Sequence, residues 1–176
     1  MTKQGMRIKI KQIKLSSEYI IYSDEIIFNK LINSEVFKSS RILFIYVSRN
    51  TEVDTIKIIK KAFELGKTVC VPKCFDNAQM KAYKIKSFDD LESGRFNILE
   101  PKSYCEEIDK NSIDLAILPC VTCDVDNNRL GYGKGFYDRF LFGTNMKKVC
   151  LCRKQVLQEK IPVDKNDVKI DVVLTD

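Results

Sequence analysis

A glycine-rich segment near residue 130 carries the residue types that could bind a phosphate group. Gly131, Gly133 and Gly135 alternate with other residues, and glycine lets the backbone approach a ligand closely. Consecutive backbone N–H groups in such a turn, with the start of a helix behind them, can cradle an anion. Fixed cations and one acid that could hold a metal ion against a phosphate lie along the same segment. The cations are Arg129, Lys134 and Arg139, and the acid is Asp138.

The spacing of these glycines leaves two interpretations open. It matches neither the G-x-x-x-x-G-K-[ST] pattern of P-loop proteins nor the G-x-G-x-x-G pattern of dinucleotide-binding proteins. The segment could bind phosphate, or it could be a tight turn followed by a short helix whose charges lie in solvent. Spacing alone favours neither interpretation.

The chain of 176 residues contains no histidine, which restricts the chemistry it can perform. Catalytic triads, general bases and metal sites that depend on histidine are excluded, so that carboxylates, Lys, Arg, Tyr, Cys, backbone N–H groups or a bound ion must act. The net charge of +6 suits an anionic partner such as a nucleotide or a nucleic acid. Because the lysines are dispersed and interleaved with acids, a nucleic-acid-binding module is the weaker alternative.

Seven cysteines, an odd number, argue against a disulfide framework and indicate a reducing compartment, which we take to be the cytoplasm. Cys120 and Cys123 have the spacing of a zinc-binding pair, and Cys150 and Cys152 follow, so a zinc site with four cysteine ligands is an alternative. Cys150 and Cys152 fall in a predicted buried strand, where cysteine packs as a small apolar residue. We therefore favour packing. No apolar stretch is long enough to predict a membrane span.

The pattern of apolar residues predicts alternating strands and helices in a single domain over residues 1–176. The first 15 residues are ambiguous between a strand and a charged helical arm. Thr51 and Gly66 are the predicted start and end signals of a helix after the first strand, and Pro72 is predicted to end the second strand. Helices are predicted over residues 17–33 and 51–65, and strands over residues 42–47, 68–71, 82–85, 113–118, 149–152 and 172–174.

This alternation predicts an α/β fold with a largely parallel sheet that is covered on both faces. Ligands of such sheets bind at the carboxyl ends of the strands. The segments that follow Val47, Val71 and Leu118 are therefore the expected places for a site.

The residues around the glycines form a longer string that is more specific than the glycines themselves. R-L-G-x-G-K-G-x-Y-D-R-x-L, preceded by P-x-x-x-x-D, resembles the signature of the 5-formyltetrahydrofolate cyclo-ligase family. Further segments resemble the same family along most of the chain, namely E-V-D-T at residues 52–55, F-N-I-L-E-P at residues 96–101 and P-V-D-K-N-D at residues 162–167. The chain departs from the family pattern at Cys120, Asn128 and Phe136, where a glycine, a glycine and a tyrosine are usual.

The resemblance implies a fold and a reaction. The implied fold is a three-layer α/β/α sandwich similar to that of ribose-phosphate isomerases and CoA-transferases. The implied reaction is the ATP- and Mg²⁺-dependent cyclisation of 5-formyltetrahydrofolate to 5,10-methenyltetrahydrofolate, with release of ADP and phosphate. An alternative within the resemblance is a nucleotide-binding relative that has lost or changed the folate activity. We expect a monomer whose partners are these small molecules, with no nucleic-acid or membrane partner.

The resemblance also implies roles for individual residues at the phosphate end of the site. Arg129, Lys134 and Tyr137 are the expected catalytic residues, and Asp138 is the expected Mg²⁺ ligand. Lys3 and Arg7 resemble the family's K-x-x-x-R spacing and would reach phosphates from the N-terminal arm. The complete set of expected ATP-binding residues is Lys3, Arg7, Arg129, Leu130, Gly131, Tyr132, Gly133, Lys134, Gly135, Phe136, Tyr137 and Asp138.

At the folate end, the resemblance implies a carboxylate and an aromatic wall. Glu52 resembles the carboxylate that holds the folate, and it could accept two hydrogen bonds from the pterin. Phe96 resembles the aromatic residue that stacks on the folate. Met80 is a further wall residue, and Tyr137 is expected at the junction of the two substrates.

Overall fold

A mostly parallel β-sheet forms the centre of the computed structural model, which describes residues 1–49, 51–76, 78–94 and 98–176. In this described part, the sheet has seven strands. In spatial order they are β11 (Val172–Leu174), β10 (Lys147–Leu151), β7 (Leu115–Leu118), β1 (Ile42–Ile45), β2 (Thr68–Cys74), β3 (Met80–Ile85) and β6 (Glu107–Ile108).

The first five strands of that order run parallel, and β3 and β6 are antiparallel additions at one edge. The parallel core follows from sequence, because β1 and β7 are apolar throughout and are therefore stable only where both faces of the sheet are covered. Alternate residues of β1 face opposite sides, with Leu43 and Ile45 in one hydrophobic cluster and Phe44 in the other. The predicted α/β class with a largely parallel sheet is confirmed.

Helices cover the two faces of the sheet, which gives three layers. Ile27, Phe37 and Ile59 bring three helices onto the face of Leu43, whereas Phe140 of a short helix stacks on Phe44 of the other face, with ring centroids 4.6 Å apart. None of the described helices is long and apolar enough to cross a lipid bilayer. The helices are α1 (Lys3–Lys11), α2 (Ser17–Asn33), α3 (Glu35–Ser39), α4 (Ile56–Glu64) and α5 (Phe136–Leu141).

The ambiguous N-terminal segment is a helix, α1. The Thr2 hydroxyl accepts a hydrogen bond from the Gly5 N–H and caps its start. Met6 and Ile10, one turn apart, are buried against Leu130 and Ile161. This small cluster attaches α1 to a hairpin outside the central sheet, formed by β8 (Thr122–Cys123) and β9 (Arg129–Leu130). A second hairpin pairs β4 (Leu91–Ser93) with β5 (Leu99–Pro101).

Several predicted boundaries differ from the observed ones by one or two residues, and the two larger differences each have a physical reason. Helix α4 begins at Ile56 rather than after Thr51, because the buried Thr55 hydroxyl donates to the Tyr46 carbonyl at 2.7 Å and fastens the preceding segment to the end of β1. Strand β2 continues through Pro72 to Cys74. Its register with β1 ends at Cys70, so the proline lies beyond the part of β2 that has strands on both sides.

Candidate active site

A cavity of about 570 Å³ opens at the carboxyl ends of the parallel strands. Tyr46 and Val47 line it after β1, Pro72 and Cys74 at the end of β2, and Pro119 after β7. The cavity thus lies beside the three strand ends at which the alternation of strands and helices predicted a site.

The cavity brings together most of the residues expected from the sequence. Every residue from Arg129 to Asp138 lines it, together with Lys3, Arg7 and Glu52. Met80 instead is buried in β3 within the hydrophobic cluster that contains Phe44. Phe96 lies outside the described residues, so its expected stacking role stays a prediction.

The glycine-rich loop, residues 131–135, connects β9 to α5. Gly133 and Gly135 have φ values of 97° and 67°, in the left-handed region that side chains disfavour. Any side chain at position 133 would also begin 3.3 Å from the Arg7 guanidinium carbon. In the described part of the chain, none of the loop's backbone N–H groups donates to a protein acceptor. These donors are available for an anionic ligand.

Cations surround this loop. The Arg7 Nε atom donates to the Gly131 carbonyl at 2.8 Å, which holds α1 over the loop. Arg7 and the exposed Lys134 form no ion pair with any described residue, so their charges are not neutralised locally. An anion that binds at the loop would therefore meet two uncompensated positive charges.

Arg129 is the buried cation of the site, and its side chain is only 2% exposed. Its Nη2 atom donates to Asp138 Oδ2 at 3.1 Å, and its Nη1 atom donates to the Pro119 carbonyl at 3.2 Å. Its Nε atom is buried and has no hydrogen-bond partner among the described residues. A buried donor without a partner is costly, and such groups concentrate where a ligand completes the site.

Tyr137 lies beneath this guanidinium, whose carbon is 5.4 Å from the ring centroid. This distance is within the range of a cation–π contact. Burial, and then the negative charge of Glu52, raise the pKa of the Tyr137 phenol well above its usual range. The phenol therefore remains protonated at neutral pH and can only act as a neutral hydrogen-bonding group there.

Asp138 has the residual capacity to hold a divalent cation. Its Oδ1 atom accepts from the Val168 N–H at 3.2 Å and its Oδ2 atom accepts from Arg129. A carboxylate has about four lone-pair positions, so roughly two remain for a metal ion. Mg²⁺ suits such a place, because it takes one or two carboxylates and completes its shell with water and phosphate oxygens.

Glu52 is occupied by two neighbours that the sequence did not suggest. The Tyr132 hydroxyl donates to Glu52 Oε1 at 2.8 Å, and the Arg49 backbone N–H donates to Oε2 at 2.9 Å. The Arg49 guanidinium also lies over the Tyr132 ring, 5.3 Å from its centroid. A ligand that binds both oxygens of Glu52 therefore competes with Tyr132, which belongs to the glycine-rich loop, for Oε1.

A second buried arginine, Arg153, positions Glu52 through the backbone. It donates to the backbone carbonyls of Thr51 and Glu52 at 3.1 and 2.8 Å, and to the Asp24 carboxylate at 2.7 Å. Its side chain is 3% exposed. The conformation of the segment before α4 thus depends on a residue about 100 positions later, and no local signal in the sequence indicates this.

Lys3 lines the cavity but is already paired. Its ammonium group is 2.8 Å from Asp164 and 2.5 Å from Asp167. Burial opposes protonation of Lys3, yet the two carboxylates outweigh it and raise the pKa. In this structure Lys3 fastens α1 to the segment before β11, and its expected contact with phosphate stays a prediction.

Tyr46 and Glu100 also line the cavity and were not expected as site residues. The Tyr46 hydroxyl donates to the Val53 carbonyl at 2.9 Å, so this side chain shapes the wall through the backbone beside Glu52. Glu100 is 8% exposed and places another carboxylate at the cavity. The sequence signal that could have identified Glu100 was its position in the F-N-I-L-E-P segment.

Comparisons with known proteins point to one family. The model of the 5-formyltetrahydrofolate cyclo-ligase family matches residues 1–176. A probable 5-formyltetrahydrofolate cyclo-ligase of Caenorhabditis elegans is 32% identical over 92% of this chain and 85% of that protein. The mouse 5-formyltetrahydrofolate cyclo-ligase is 31% identical over 98% of this chain and 92% of its own length. The solved structure of Aquifex aeolicus 5,10-methenyltetrahydrofolate synthetase superposes with a TM-score of 0.87 at 30% identity, covering 99% of this chain and 89% of that one.

Proposed function

Because this chain belongs to the 5-formyltetrahydrofolate cyclo-ligase family, we propose that it uses ATP and Mg²⁺ to cyclise 5-formyltetrahydrofolate to 5,10-methenyltetrahydrofolate, releasing ADP and phosphate. The observation that carries the proposal is Arg129 itself. Among the residues that the structure describes, its buried Nε atom has no partner, and the backbone N–H groups of the neighbouring loop have no protein acceptor. This donor set is suited to a phosphoryl group.

The reaction needs positioning and charge neutralisation more than it needs a protein nucleophile. The formyl oxygen attacks the γ-phosphorus of ATP, and the bond to the ADP oxygen breaks. N10 then attacks the activated formyl carbon, phosphate leaves with the former formyl oxygen, and the ring closes. A chain without histidine can support both steps, since the phosphate leaving group replaces strong acid–base catalysis.

At the phosphate end, the loop of residues 131–135 binds the β- and γ-phosphates through its backbone N–H groups. Arg129 neutralises charge that develops on the transferred group, and Lys134 and Arg7 attract the nucleotide. Asp138 would hold Mg²⁺, which supplies further neutralisation of phosphate charge when it is bound.

At the folate end, Glu52 accepts hydrogen bonds from the amino and ring N–H groups of the pterin. Its side chain is 7% exposed, so these charge-assisted bonds form away from bulk water and are correspondingly strong. Tyr137 lies at the junction of the two ends and donates its phenol hydrogen to the substrate.

The direct test is to mix the protein with 5-formyltetrahydrofolate, ATP and Mg²⁺ and to follow the near-ultraviolet band of the methenyl product. We expect the band to grow only when all three are present. The rate at which it grows should fall severely in Arg129→Ala and in Glu52→Gln. Arg41→Ala, a change to an exposed cation just before β1 that does not line the cavity, serves as the matched control. If ATP binds and no band appears, the folate assignment fails, and the chain is a nucleotide-binding relative of changed activity.

The cytoplasm is the compartment we propose, because none of the seven cysteines forms a disulfide and free thiols persist in a reducing environment. A monomer with no nucleic-acid or membrane partner stays a prediction. Sedimentation of the free protein and a titration with nucleic acid at low salt test these two points.

A further inference from the structure

Three cysteine thiols meet on the side of the β8–β9 hairpin that packs against the central sheet. Cys120 and Cys123 come from the segment after β7, and Cys150 comes from β10. Their three sulfur atoms lie within 4.8 Å of one another. The Cys123 and Cys150 sulfurs are 3.4 Å apart. We call these three residues the thiol cluster.

From this cluster we propose a metal site: the thiol cluster binds one thiophilic cation, of the class of Zn²⁺ and Cu⁺, through three thiolates. A metal–sulfur bond of about 2.3 Å implies sulfur–sulfur separations of about 3.8–4.0 Å around one ion. The observed range, from 3.4 Å to within 4.8 Å, contains those values. Adjustments of side-chain torsions are therefore sufficient, without a change of the fold.

The surroundings also suit a soft metal ion. Cys123 and Cys150 are fully buried, so water does not compete for the ion there, whereas Cys120 is partly exposed and offers a route of entry. In the described part of the chain, no carboxylate takes part in the cluster, and thiolates alone favour Zn²⁺ and Cu⁺ over Mg²⁺. This site would thus be chemically separate from the Mg²⁺ position proposed at Asp138.

Charge balance gives a second, independent reason. Three thiolates exceed the charge of either cation, so the complex would be anionic and needs a nearby positive group. Arg129 stands directly opposite Cys123 in the β8–β9 pairing, and it donates to the carbonyl of Pro119, the residue before Cys120. Its buried guanidinium can offset part of the negative charge of the complex, in addition to its proposed role at the phosphate end of the cavity.

Simple packing explains Cys70 but not this grouping. Cys70 lies in β2 with its sulfur near the Leu43 carbonyl at 3.3 Å, and it belongs to no group of metal-ligating residues in the described chain. It is therefore a matched control, since it is equally buried and lies in the central sheet, where β7 and β1 separate its strand from β10.

The test uses the full-length, reduced protein and Cd²⁺ as a spectroscopic probe, followed by competition with Zn²⁺. We expect a thiolate-to-metal charge-transfer band that saturates at one equivalent of Cd²⁺, that Zn²⁺ removes and that excess Mg²⁺ leaves unchanged. Cys123→Ser should abolish the band and Cys70→Ser should retain it. A band that survives in Cys123→Ser, or no band in the wild type, overturns the proposal.

A second measurement does not depend on the folding of any variant. In the wild type, one equivalent of Zn²⁺ should slow alkylation of Cys120 by at least about tenfold, while the half-buried Cys74 and Cys105 keep their rates. Equal alkylation rates of Cys120 with and without the ion also overturn the proposal.

Discussion

Two buried arginines hold opposite sides of the active site, and they differ in how completely they are bonded. All three nitrogens of Arg153 donate hydrogen bonds, to Ser23, Asp24 and the backbone of residues 51–52. Arg129 leaves its Nε atom without a partner in the described structure and lines the cavity, which Arg153 does not. The comparison teaches that a saturated buried guanidinium stabilises the fold, whereas an incompletely bonded one is ready for a ligand.

The largest effect that tests this contrast is on catalysis by Arg129. Arg129→Ala removes the cation that we propose neutralises the transferred phosphoryl group, so we expect kcat to fall by about 10³-fold. The free energy of unfolding should change only slightly, because Arg129 donates few hydrogen bonds to the rest of the protein. Steady-state assays and urea unfolding of the same preparation check this. Arg129→Lys keeps the charge without the planar fork and should recover only part of the rate.

The converse result is expected for Arg153. Arg153→Ala leaves the partly buried Asp24 carboxylate without its partner, and it should lower the free energy of unfolding by about 3 kcal/mol. Folate KM should rise because the backbone of Thr51 and Glu52 is released. Urea unfolding checks the first effect. If Arg153→Ala is as stable as the wild type while Arg129→Ala is not, the contrast between the two arginines is reversed.

Asp124 tests whether the role of a buried charge depends on how completely it is hydrogen-bonded or on how close it lies to the site. It lies in the loop of the β8–β9 hairpin, close to Arg129 in sequence, but its carboxylate accepts hydrogen bonds from Asp126, Asn128 and Ile161. Because its carboxylate is as completely hydrogen-bonded as Arg153, it should likewise contribute mainly to stability. We expect Asp124→Asn to cost about 2 kcal/mol of unfolding free energy and to reduce kcat only slightly.

The same residue predicts a pH dependence. Burial raises the pKa of Asp124, but hydrogen bonds from Asn128, Ile161 and Asp126 outweigh burial and lower it overall. Its stabilising contribution is therefore complete above the unfolded-state pKa of about 4, and it is lost as the pH falls below that value through the folded-state pKa. The stability difference between wild type and Asp124→Asn should shrink below about pH 4. A difference that grows on acidification contradicts the assignment.

The smallest expected effect concerns Tyr132, which occupies Glu52 in the unliganded site. Tyr132→Phe keeps the ring against Arg49 but removes the hydrogen bond that competes with the proposed folate contact to Glu52, so folate should bind about fivefold more tightly in the absence of ATP. Calorimetric titration without nucleotide measures this. Weaker binding in Tyr132→Phe would mean that the hydroxyl contacts the folate rather than competing with it.

Local patterns in the sequence predicted most of the fold. Helix α2 has its expected bounds, because Ser16 caps it and its apolar residues recur at helical spacing. Gly66 adopts the expected left-handed conformation after α4. The start of α4 was not predictable, since it is set by Thr55 bonding to Tyr46 across a loop rather than by helix propensity.

The candidate site was predictable where its residues are consecutive. The glycine-rich loop and its flanking arginine and acid form one string, so the resemblance carried them together. The contacts that tune the site join distant residues, as in Tyr132 with Glu52 and Arg153 with Thr51. Such pairs depend on tertiary packing, which a single sequence does not reveal.

The attachment of α1 has a consequence for synthesis on the ribosome. Helix α1 is made well before its partners Gly131 and Asp167, which follow more than 120 residues later, as the separations of 124 and 164 positions show. Until Leu130 and Ile161 have been made, the apolar side chains of Met6 and Ile10 lack the residues that cover them. The nascent chain therefore carries an uncovered amphipathic helix while more than 120 further residues are added, and the cavity beside α1 forms only after that.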